Sequence, residues 1–109
     1  MVIVIKNCRE ADKDHKEYMS QYAHTFHKGD NVICVARAFW KLPIGHQMGL
    51  IAHEIGHILA GEREHREYKA DEAANRYFGI DIKYKDSEYG YFLQYLNKRD
   101  IEKVAKVLA

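Results

Sequence analysis

Ile51-Ala52-His53-Glu54-Ile55-Gly56-His57-Ile58-Leu59-Ala60-Gly61 is the stretch on which the reading of this chain turns. The helical pattern runs back to Pro43, the only proline, and Gly61 is well placed to stop it, so a long helix is expected up to about Ala60. Ile51, Ile55, Ile58 and Leu59 supply an apolar face, and Gly56 leaves room for another element to come close. His53 and His57 stand four apart, which on a helix puts both imidazoles on one face within reach of a single ion. Zinc accepts neutral imidazole nitrogen at about 2.0–2.1 Å in a tetrahedral shell. Glu54 is turned about 100° around the helix from His53, beside such an ion and not on it. A carboxylate there can take a proton from water and return it to a leaving amine.

A third protein ligand has to come from elsewhere, and the next segment, Glu62 to Asp71, offers two. A tight turn after Gly61 would fold a second helix back along the first and bring residues 64–68 beside His57. His65 is the only histidine after His57, and Glu67 is followed four residues later by Asp71. Local chemistry leaves His65 and Glu67 both open. In either case Asp71 is the expected partner of a ligand imidazole, accepting a hydrogen bond that fixes its tautomer; otherwise it is an exposed surface charge.

HEIGH at 53–57 followed by E-Y-K-A-D at 67–71 resembles the gluzincin clan of zinc peptidases, which pair an HExxH helix with a second helix carrying ExxAD. CaaX prenyl proteases and related heat-shock membrane proteases share that pattern. The similarity covers roughly residues 30 to 80 and lacks their membrane part, so the chain is most similar to the minigluzincins, soluble proteins of about this length. The resemblance implies a zincin-like α+β fold, Zn2+ as cofactor and an endopeptidase that uses a metal-activated water with Glu54 as general base and then acid. In the larger families the second-helix glutamate is the third ligand, implying Glu67; in the minigluzincins a histidine takes that place, implying His65. Asn31 to Ala36 looks like the strand that lines the substrate cleft, to which an extended peptide would add its main chain. The resemblance also implies that residues 87–109 form a latency segment, acting within one chain or by exchange in a homodimer.

Three rival readings accompany this one. A latent or regulatory zinc-binding protein without turnover would keep the ligands and bury the apolar stripe of the C-terminal segment over its own cleft or on a second subunit. A purely structural zinc module would favour four ligands and cysteine, and neither cysteine is near the histidines. The short HExxH proteases that cleave bacterial repressors place their third ligand in an E-x-x-A-N context, which Ala74-Asn75 after Asp71 matches only in part.

Outward from this centre the chain reads as one small α+β domain spanning residues 1–109, with two or three strands on three or four helices. Val2 to Ile5 and Val32 to about Ala38 are the convincing strands. Asp12 to about Phe26 is expected to be helical, because Tyr18, Met19, Tyr22, Ala23 and Phe26 recur at spacings of three and four. A second metal-site helix is expected from Glu62–Glu64 to Phe78, stopped by Gly79. Ile80 to Tyr84 is a short strand or extended connection. The pattern from Ser87 is helical again, with a break at Asn97–Asp100 before a last amphipathic turn carrying Ile101, Val104, Val107 and Leu108.

The remaining side chains are expected in plainer roles. Cys8 and Cys34 read as buried thiols, with a strand-pinning disulfide as the alternative. His15, His24, His27 and His46 are expected to be solvated or structural. Tyr68 and Tyr77 are the candidates for stabilising an oxyanion, against ordinary packing. A net charge of +1 over 109 residues, with no basic run, gives no electrostatic footprint for nucleic acid. The apolar start, Met1 to Ile5, is too short for a secretory signal, and no stretch reaches the length of a membrane span, so a cytoplasmic protein acting on peptide or protein substrates is expected.

Overall fold

Two short runs of β-branched residues, Val4–Asn7 (β1) and Val32–Val35 (β3), pair in parallel and form the frame of the sheet. The computed structural model describes residues 1–7, 23–25, 31–61, 66–82 and 96–109. A third strand, Ala23–Thr25 (β2), runs antiparallel on the other side of β3, giving a mixed sheet in the order β1-β3-β2. The pairs Ile5–Ile33, Thr25–Ile33 and Ala23–Val35 fix the register. Alternation of side chains therefore gathers Ile5, Ile33, Val35, Ala23 and Thr25 on one face, and Ile33 and Val35 are fully buried in the core.

Two sequence expectations are overturned here. Ala23 to Thr25 is strand and not helix; the rest of the stretch expected as helix, 12–22 and 26, lies outside the described residues. β3 is the central strand, hydrogen-bonded on both sides, so Asn31–Ala36 offers no edge to which a peptide could add. β3 also ends sooner than expected. The chain turns at Ala36 into a 3₁₀ helix, Arg37–Lys41, which buries Phe39.

The long helix α1 spans Ile44–Ala60, preceded by Pro43. Proline suits this place because its missing N–H would have no partner in the first turn. Gly61 ends the helix at φ +97°, a backbone shape that disfavours other residues, and its N–H still reaches the His57 carbonyl at 3.1 Å. Ile51 and Ile55 carry α1 into the core against the sheet residues Ile33 and Val35.

Helix α2, Glu67–Phe78, packs against α1. It starts later than expected: Arg66 is extended, and 62–65 lie outside the described residues. The contact is very close. A Cβ added at Gly56 would fall 1.9 Å from the Ala70 carbonyl oxygen, so only glycine allows this approach. Fully buried Ala70 and Ala74 keep α2's side of the seam equally thin. Gly79 stops α2 in the left-handed conformation, φ +68° and ψ +42°, as expected of a glycine there. Asn75 then holds the extended residues that follow, its amide donating to the Ile82 carbonyl and accepting from the Ile82 N–H, both at 2.8 Å.

Helix α3, Lys98–Ala105, begins where a break was expected: Asn97 Oδ1 accepts the Asp100 N–H at 2.9 Å and caps the first turn. Val104 is fully buried, and Lys103 Nζ donates to the Gly79 carbonyl at 3.0 Å. Beyond α3 the chain lies beside the start of β1. The Ile3 N–H donates to Val107 O at 2.7 Å, and the Ala109 N–H donates to Ile3 O at 2.9 Å. The result is a small α+β fold of three strands and three helices among the described residues. None of those helices is long and apolar enough to cross a membrane.

Candidate metal centre

The close α1–α2 seam decides what meets what at its open end. His53 and His57 leave α1 on one face, their rings edge-on with centroids 4.8 Å apart. Glu67 opens α2 directly opposite. Its Oε2 lies 2.5 Å from His53 Nε2 and 3.3 Å from His57 Nε2. Asp71, one turn further along α2, accepts from His53 Nδ1 at 2.7 Å. Only 5% of Asp71 is exposed, so it is a buried partner and no surface charge. Asp71 thus meets the His53 imidazole, and this contact leaves Nε2 of His53 as the atom facing Glu67.

His53, His57 and Glu67 form a metal-competent group, with one donor atom from each lying within 4.8 Å of the others. Two imidazoles and a carboxylate are a donor set that zinc accepts. Tetrahedral bonds of zinc length separate donor atoms by about 3.3 Å, the spacing already found between His57 and Glu67. His53 and Glu67 stand closer than that, at 2.5 Å, and an ion would require those two groups to part by less than about 1 Å. The residues fit the ion.

Electrostatics describe the same site with protons in place of a metal. Burial pulls the His53 imidazole down, but its hydrogen bonds to the Asp71 and Glu67 carboxylates, with the charge of Glu54, outweigh it and raise His53 to about 9. Burial pushes Glu67 up, yet the two histidines win and hold it at about 2. Glu54 goes the other way. Burial raises it to about 7 against the pull of His53 and His57, with the charge of Glu67 adding to the rise. Two adjacent carboxyl groups thus differ widely in proton affinity, a separation that marks sites of proton transfer.

Of the other sequence candidates, His65 lies outside the described residues, as do His15, His27 and Cys8. His24 and His46 are buried and take no part in the metal-competent group; burial lowers His46. Cys34 is buried in β3. Tyr68 and Tyr77 are both exposed. The Tyr68 hydroxyl accepts from Arg66 Nη1 at 2.9 Å, and Tyr77 stands edge-on to Phe78, so their observed contacts lie elsewhere. Gln47 went unremarked in the sequence. Its amide donates to Leu42 O at 2.8 Å and to Trp40 O at 3.3 Å, fastening the 3₁₀ helix to α1. The signal that could have found it is its place two turns before Glu54 on the same helix face. Comparison with protein-family models, with curated proteins and with solved structures finds no match for this chain.

Proposed function

We propose that the chain is a zinc-dependent endopeptidase of the gluzincin kind, with a zincin-like fold and with His53, His57 and Glu67 holding the ion. The observation that carries this reading is the meeting of those three donors beside a carboxyl, Glu54, that stands outside the ligand group and is poised near 7. When bound, zinc would supply Lewis acidity toward a water and the scissile carbonyl. Glu54 takes the proton of the attacking water and returns it to the leaving nitrogen. Asp71 keeps the proton of His53 on Nδ1, so that Nε2 presents its lone pair to the site. A substrate cannot pair with β3, which is central. β2 packs against α1 and all three of its residues are buried.

Metal content of purified wild type, His65→Ala and Glu67→Ala, read by mass spectrometry, tests the ligand set. About one zinc per chain, lost in Glu67→Ala and kept in His65→Ala, is expected. The reverse pattern assigns the third ligand to His65, and a wild type that takes up no zinc refutes the proposal. Glu54→Gln should retain zinc and lose peptide cleavage by at least about 100-fold. Cleavage at the wild-type rate would remove Glu54 from its role.

A further inference from the structure

The contacts His57–Glu67 and His53–Asp71 run in opposite chain order, so α1 and α2 lie antiparallel. On two such helices, a residue one position past a contact residue turns about 100° to the same side of the pair. Glu54 follows His53, and Tyr68 follows Glu67. Tyr68 therefore stands on the side of the metal-competent group to which Glu54 turns. Glu67 is also the most open member of that group. Its side chain is 42% exposed, against 5% for His53 and 8% for His57.

Tyr68 is itself 52% exposed, and two cations gather on it. Arg66 Nη1 donates to its hydroxyl at 2.9 Å, and the guanidinium carbon lies 5.3 Å from the ring centroid. Lys69 Nζ lies 5.5 Å from the same centroid and pairs with Glu72 at 3.3 Å, which offsets part of its charge. Arg66 is exposed and immediately precedes Glu67. Its contact with the phenol holds a planar, always-charged group beside the open ligand, so little further side-chain freedom is lost when it meets an anion.

We propose that Arg66, steadied by Tyr68, receives a carboxylate of the substrate close to the scissile bond, so that peptides with an acidic group there are preferred. The inference rests on the peptidase reading above. A guanidinium takes a carboxylate through paired N–H···O contacts, so Asp, Glu and a free peptide terminus share the chemistry. Arg66 is one residue from a ligand, about 3.8 Å between Cα atoms, which places the recognised group within about two residues of the bond.

The probes are amidated decapeptides of Ala and Ser with one central Glu, Gln or Lys, and a fourth with central Gln and a free terminal carboxylate. Zinc-loaded wild type should cut the Glu peptide with kcat/KM about fivefold or more above the Gln peptide, and the Lys peptide least. Faster cutting of the fourth peptide near its end extends the preference to chain termini, and cutting no faster than its amide confines it to acidic side chains. Arg66→Glu should reverse the order in favour of the Lys peptide, a result that local loss of structure would not produce. Binding of end-labelled peptides to zinc-loaded Glu54→Gln protein, read by fluorescence anisotropy, should follow the wild-type order. Equal cleavage of the Glu and Gln peptides overturns the carboxylate site and leaves the peptidase reading standing, as does an Arg66→Glu protein that still prefers Glu. If no peptide is cut, the peptidase reading falls, and the binding order then decides the site: weaker binding of the Gln peptide keeps it, and equal binding overturns it.

Discussion

At the scale of single residues, His53 is the pivot, because its two ring nitrogens meet two carboxylates of α2, Asp71 and Glu67. In the metal-free chain its imidazole is raised to about 9 against an ordinary 6.5. A raised histidine stabilises the fold fully below pH 6.5, and that contribution is lost as pH climbs through 9. Glu54, raised from 4.5 to about 7, acts in the same direction, since ionising it in its buried setting costs stability as pH rises through that interval. Glu67, held at about 2, loses its contribution only in strong acid. Metal-free protein should therefore lose on the order of 2–3 kcal/mol between pH 6.5 and 9, visible as a falling melting temperature after chelation. Asp71→Asn should flatten that slope. Zinc-loaded protein should show the opposite trend, because protons compete with the ion for His53. A melting temperature of the chelated wild type that is flat over this range would contradict the His53–Asp71–Glu67 arrangement.

At the scale of elements, the site depends on how closely two helices approach. A methyl group at Gly56 would sit 1.9 Å from the Ala70 carbonyl, which belongs to backbone and cannot swing aside. Gly56→Ala gains about 1 kcal/mol of helix propensity, yet forcing the helices apart should destabilise the fold by at least about 3 kcal/mol net. Because Glu67 rides on α2 while His57 rides on α1, zinc affinity should fall with it. Wild-type stability in urea unfolding would mean that the helices do not approach so closely. Gly56 was legible in the sequence as a place of close approach, and so were α1, its proline and glycine boundaries, and the Glu67–Asp71 pair at one-turn spacing. Helices advertise themselves through periodicity and end signals carried by neighbouring residues. The sheet was less legible. Ala23 and Phe26 fall at helical spacing from Tyr22 and Met19, and a three-residue strand has too few side chains to show alternation. Its conformation is set by hydrogen bonds to β3, a partner distant in sequence. Strand order is likewise a tertiary fact, and nothing within Val32–Val35 distinguishes a central strand from an edge. The sequence leaves His65 and Glu67 both open as third ligand, because both are competent donors close after the HExxH helix, and His65 lies outside the described residues.

At the scale of the whole molecule, both chain ends are part of one structure. Ile3 is fully buried, and its N–H and C=O are both taken by the tail, through Val107 and Ala109. α3 supports that tail from behind with Val104 in the core and with Lys103 on the end of α2. The tail therefore bridges to Ile3 just before β1, while His53, His57 and Glu67 gather where α1 meets the start of α2. Removing residues 107–109 deletes four backbone hydrogen bonds, two of them to Ile3, and part of the cover over Ile3. At roughly 1 kcal/mol for each bond to Ile3 and a similar amount for the apolar cover, the truncated chain should lose at least about 3 kcal/mol of stability. Zinc affinity and turnover per folded molecule should stay as they are, because no contact described for the tail reaches His53, His57, Glu67 or Glu54. Calorimetric melting gives the first quantity, and zinc titration with active-site-normalised cleavage gives the second. A truncated chain that melts at the wild-type temperature would show that the tail adds nothing to the fold. One that gains turnover instead would assign the C-terminal end a restraining role on the site, the behaviour that the minigluzincin resemblance implies for residues 87–109.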